Sequence, residues 1–168
     1  MKSMKHIASV AAVAAIAVAG VTATAFARDD GRIKSDMMIG VPLALTGPTG
    51  AIRGINGAGA AWAVGESEVS VKSSGKVEVE FNDLVFASGV NTGKNTIATM
   101  RVVVSCLDAA NQPANVTSAA FPVTVAAGTD PGGDAEFETT LALPSPCFAP
   151  IVFVTNPGGT GWFAVDGL

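Results

Sequence analysis

Three sets of residues in this sequence could do chemistry. Cys106 and Cys147 could pair or supply a thiolate; Glu66/Glu68, Glu78/Glu80 and Glu136/Glu138 could work as acid and base. Asp130, Asp134 and Glu136, around Pro131-Gly132-Gly133, could hold Ca²⁺, which takes several oxygen ligands from a flexible loop. The single histidine is His6, and there is no Tyr.

The place of His6 removes most of enzymology. Lys2 and Lys5, an apolar run from Ile7 to about Val21 and the small-x-small triplet Ala25-Phe26-Ala27 read as a secretory signal over residues 1–27. The apolar run is short beside the roughly 20 residues that span a bilayer. A mature chain starting at Arg28 is therefore expected, released and with no membrane partner. Without His there is no Ser-His or Cys-His nucleophile and no imidazole zinc site, and bridged cysteines offer no thiolate. No enzyme activity, metal or cofactor is expected. A carboxylate-only glycoside hydrolase would need two acids facing each other across a cleft. Each Glu pair instead sits at i, i+2 on the polar side of an alternating strand, as a solvated sheet face requires. Asp-Pro-Gly-Gly is likewise what a tight turn demands.

Removing Lys2 and Lys5 from 10 basic residues leaves 8 against 14 acidic ones, a net charge of −6, which argues against nucleic acid as a partner. Two Cys in an exported chain pair in the oxidising compartment, so a Cys106–Cys147 disulfide is expected.

Those residues must be held by strands. Val69 and Val71 alternate with Glu68, Ser70 and Lys72; Ser73-Ser74-Gly75 is a turn; Val77, Val79 and Phe81 alternate with Glu78 and Glu80. The apolar phase moves at Asn82-Asp83, predicting a bulge or strand end. A strand over about 97–107 carries Met100, Val102, Val104 and Cys106 on one face, followed by a loop over 108–115. Further strands are predicted over about 116–125, with Pro122 confining it to an edge, and over 135–143, 148–155 and 162–165. Residues 28–36 read as a loose charged leader, 37–45 as a possible edge strand interrupted by Pro42, and 46–59 as a Gly-rich irregular cover. Residues 126–134 read as a turn cluster. No segment after residue 27 shows a helical period of ten residues or more. Short strands joined by Gly, Pro and Asn predict an antiparallel immunoglobulin-like β-sandwich of seven or eight strands, with a jelly roll or barrel as the other topology. The organisation is a signal peptide at 1–27, a leader and Gly-rich loop at 28–60 and the β-sandwich domain at 61–168.

Ile39-Gly40-Val41-Pro42-Leu43-Ala44-Leu45-Thr46-Gly47-Pro48 resembles the opening of periplasmic amino-acid-binding proteins, but the alternating helices of those two-lobed chains do not follow. Arg53-Gly54-Ile55-Asn56-Gly57-Ala58-Gly59, Trp62-x-Val64, Ser73 to Val79 and Leu143-Pro144-Ser145-Pro146-Cys147-x-Ala149-Pro150 together resemble a group of small, mostly uncharacterised secreted bacterial proteins with an immunoglobulin-like β-sandwich. That resemblance implies the fold and carries no function.

The expected role is a secreted, non-catalytic module that binds an unknown protein or surface glycan; the alternatives are a structural envelope component and the hydrolase. Because successive strands carry the chain from end to end, the loops 87–96, 126–134 and 156–161 should share one end. They would gather Asn91, Lys94, Asn95, Asp130, Asp134 and Asn156 as a binding site on a rigid scaffold.

Overall fold

Residues 31–166 are described by the structure, a computed structural model, and they contain no α-helix. The predicted signal segment lies outside them. The chain opens with β1 (Gly31–Ser35), β2 (Ile39–Gly40), β3 (Asn56–Gly57) and β4 (Trp62–Ala63). β5 (Ser67–Lys72), β6 (Lys76–Phe81), β7 (Val85–Phe86) and β8 (Thr99–Leu107) follow. Then come β9 (Pro113–Thr117), β10 (Phe121–Pro122), β11 (Val125–Ala127) and β12 (Asp130–Gly132). β13 (Ala135–Thr140), β14 (Phe148–Thr155) and β15 (Gly161–Asp166) complete it.

These form a four-stranded sheet ordered β1-β5-β6-β13, a seven-stranded sheet along β10-β8-β14-β15-β2, to which β9 adds on β8 and β3 on β15, and two two-stranded sheets, β11-β12 and β4-β7. All named pairs are antiparallel except β3 with β15, and neither of the two larger sheets closes into a barrel. The expected alternation holds in β5 and β6: Val69, Val71, Val77, Val79 and Phe81 are buried, and their polar neighbours face water. The turn between the two strands needs Gly75, which has φ +86° and passes so near Leu141 that a Cβ would lie 2.1 Å from its carbonyl oxygen. Leu84 is buried, and the phase change at Asn82-Asp83 is the end of β6, with Asp83 at φ +53°.

Both sheets contribute to one hydrophobic core. Phe121 of β10 lies edge-on to Phe81, with centroids 6.4 Å apart, and stacks on Phe137 of β13 at 4.3 Å. β8 is buried on both faces, since Val103 and Ser105 are out of solvent as well as Val102, Val104 and Cys106. The Gly-rich stretch explains this, because it is pinned on the large sheet. Trp162 Nε1 donates to Gly50 O at 2.8 Å, and Arg53 Nη1 donates to Ser105 O at 2.8 Å. Gly50 is required there: a Cβ would sit 1.7 Å from the Leu45 carbonyl oxygen.

The disulfide joins Cys106 of β8 to Cys147 just before β14, with Cα atoms 4.9 Å apart. β8 and β14 are neighbours in the same sheet, so the bridge staples one sheet rather than linking two.

Several boundaries differ from the sequence reading. The charged run expected as a leader contains β1, because Ile33 finds the core and the backbone pairs with β5. The possible strand at 37–45 shrinks to Ile39–Gly40, and Leu43–Leu45 turns as a 3₁₀ segment after Pro42. β9 starts at Pro113, inside the predicted loop. The strand expected over 116–125 is interrupted at Ser118, whose Oγ accepts the Val102 N–H at 3.0 Å in place of a regular ladder. The turn cluster at 126–134 contains the β11–β12 hairpin.

Candidate functional site

Of the loop residues proposed from sequence, Asn91, Lys94, Asn95, Asp130 and Asp134 lie on two segments that touch directly. The Asn95 N–H donates to Pro131 O and the Ala126 N–H to Asn95 O, each at 2.8 Å. Asn95 is fully buried: its Nδ2 donates to Thr124 O at 2.6 Å and Ile97 O at 2.9 Å, and its Oδ1 accepts the Ile97 N–H at 2.9 Å. Asp130 Oδ1 accepts the Gly132 N–H at 2.8 Å. Asp134 accepts from Asp83 N–H and Thr124 Oγ1, both at 3.1 Å. Asn91 is half-buried and Lys94 exposed. Asn156 sits on the separate β14–β15 turn, where its Oδ1 accepts the Thr160 N–H at 3.1 Å. That turn meets the start of β8 through Arg101, whose Nε donates to Pro157 O at 2.7 Å. Asp130 and Asn156 thus direct side-chain atoms into their own turns, while Asn95 and Asp134 tie their segments to neighbouring ones. Among the described residues no group of three or more His, Cys, Asp or Glu is arranged to hold a metal ion.

A second constellation arises on the outer face of the four-stranded sheet. β5, β6 and β13 pair so that Glu68 faces Glu80 and Glu80 faces Glu136, while Ser70 faces Glu78 and Glu78 faces Glu138. A row of three carboxylates therefore crosses three strands in direct register. Like charges in that relation destabilise a sheet. Lys76 is the only cation in an ion pair here among the described residues, to Glu78 at 2.6 Å and Glu138 at 3.0 Å. Glu68, Glu80 and Glu136 have none. The surface between the rows is a shallow depression of about 190 Å³, lined by Glu68, Glu78, Glu80, Glu136 and Phe137 among others. A neighbouring depression is lined by Asp36, Glu66, Glu68 and Glu80.

This face does bring carboxylates together, which is what a hydrolase would require. A general acid needs a raised pKa, and Glu78 is shifted the other way. The Lys76 ammonium, and after it the Ser70 hydroxyl, lower Glu78 from the ordinary 4.5 to about 2. Lys76 is raised in turn by Glu78 and Glu138. The i, i+2 Glu pairs announced a polar face for each strand. That three such faces share one row is a matter of strand order and register, which no local pattern carries.

No protein-family model matches this chain, and neither the search of curated proteins nor that of solved structures returns a match.

Proposed function

We propose that this protein is a secreted, non-catalytic binding module with an immunoglobulin-like β-sandwich, which engages a cationic protein partner through the acidic face of its four-stranded sheet. The observation that carries this reading is the Glu68–Glu80–Glu136 row, a direct like-charge register that costs stability and that a partner's cations would relieve. Two antiparallel sheets around one core support the sandwich, although a bridge within one sheet departs from the inter-sheet disulfide of antibody domains. The disulfide supports an oxidising, extracytoplasmic compartment. No described helix is long and apolar enough to cross a membrane.

The test is titration with synthetic polylysine at low salt. Glu80→Gln/Glu136→Gln should weaken binding at least tenfold. Asp83→Asn/Asp130→Asn, which removes the same charge elsewhere, should leave it near the wild-type value. Equal weakening by both pairs would mean that net charge alone attracts the polymer, and the face would lose its claim.

A further inference from the structure

β13 ends the four-stranded sheet, and among the described residues nothing pairs with its side away from β6. The Leu141 N–H donates to Gly75 O at 2.9 Å. Bonded pairs alternate along an antiparallel ladder. With Thr139 facing Val77, Phe137 facing Val79 and Ala135 facing Phe81, these residues turn their backbone groups toward β6. The N–H and C=O groups of Glu136, Glu138 and Thr140 therefore turn outward, along an open edge.

Other sheet margins carry guards that sheets use against unwanted pairing. β1 has a register break between Gly31 and Ile33, β9 opens with Pro113, and β10 is two residues long and contains Pro122. β2 is two residues long, and the Val41 carbonyl beyond it already accepts the Trp62 N–H at 2.9 Å. β13 has none of these: it runs six residues in unbroken register without Pro, Gly or Lys. What stands beside its edge is negative charge, Glu136 and Glu138. A second copy of β13 pairing there would set carboxylate against carboxylate, which disfavours self-association. A basic strand would meet the opposite situation.

We propose that β13 is an open docking edge that takes an extended basic peptide as a fifth strand of the acidic sheet. Strand addition of this kind draws affinity from main-chain hydrogen bonds and specificity from alternate side chains. Lys or Arg at every second position of the peptide falls on the outer face beside Glu136 and Glu138. The intervening apolar residues fall on the side of Phe137, which is partly buried against the core. The inference rests on the acidic-face reading, and the experiment separates the two.

The probe is a synthetic heptapeptide of alternating Lys and Val, compared with the same peptide N-methylated at alternate residues, which keeps its charge and loses the edge hydrogen bonds. Amide hydrogen exchange is followed by NMR on the full chain as secreted. With the unmodified peptide, exchange at Glu136, Glu138 and Thr140 should slow at least tenfold, and the methylated peptide should give no such protection. Glu138→Pro removes an outward N–H that β6 does not use, and Pro is tolerated at such edge positions. It should lose the protection while keeping the wild-type unfolding midpoint, whereas Glu138→Gln should retain most of it. Equal binding of both peptides, or binding without protection of those amides, would overturn the docking edge and leave the acidic face standing. Binding of neither peptide would overturn both.

Discussion

Replacing Glu80 by Gln should make this protein more stable. Glu80 lies between Glu68 and Glu136, directly opposite each. Cross-strand Cβ atoms are about 5 Å apart. Carboxylates some 6 Å apart in water repel by about 0.7 kcal/mol before screening. Two such neighbours, at 10 mM salt where the screening length is about 30 Å, give roughly 1 kcal/mol, and at 0.15 M salt about half of that survives. With a urea slope of about 1.5 kcal/mol/M for a domain of this size, the midpoint should rise by about 0.7 M at low salt. The control is Glu66→Gln, because Glu66 stands opposite Asn82, whose N–H donates to its carbonyl oxygen at 2.9 Å, and so has no carboxylate across from it on β6. Urea unfolding of the three proteins at 10 mM and 1 M NaCl decides. An unchanged midpoint for Glu80→Gln at low salt would refute the like-charge row, and an equal rise at 1 M NaCl would show that the gain is not electrostatic.

Cys106→Ala/Cys147→Ala should destabilise by about 4 kcal/mol, from the chain entropy of a closed loop with 41 residues of separation, and lower the melting temperature by roughly 13 °C; a calorimetric shift under 3 °C would contradict the staple. Trp162→Phe leaves the buried Gly50 carbonyl without its donor and should cost about 1–3 kcal/mol, with faster amide exchange across residues 47–58 if the Gly-rich stretch is held as a cover. The Glu78 carboxylate is depressed in the folded state, so its contribution is present above the unfolded value near 4.5 and is lost as the pH falls toward about 2. Urea midpoints between pH 5 and pH 2 should accordingly fall less steeply in Lys76→Met than in the wild type.

Much of the fold was legible because side-chain alternation is a property of the strand backbone itself. Val69, Val71, Val77, Val79 and Phe81 had to share a face wherever the hairpin went, and Ser73-Ser74-Gly75 had to turn it. The two cysteines had only each other to pair with, so their pairing needed no tertiary information. Strand order and register did. Glu68, Glu80 and Glu136 become a row only because β6 takes β5 on one side and β13 on the other, and pairing between strands so distant in sequence has no local signature. The same holds for Asn95, whose composition suits a recognition loop and whose burial, decided by the segment it meets, makes it a clamp between loops. A run of charges hid β1, since one Ile in five residues gives no period, and only the free edge of β5 supplied a reason to extend there. Local chemistry determined which faces were apolar; the packing of distant strands determined which charges had to live beside one another.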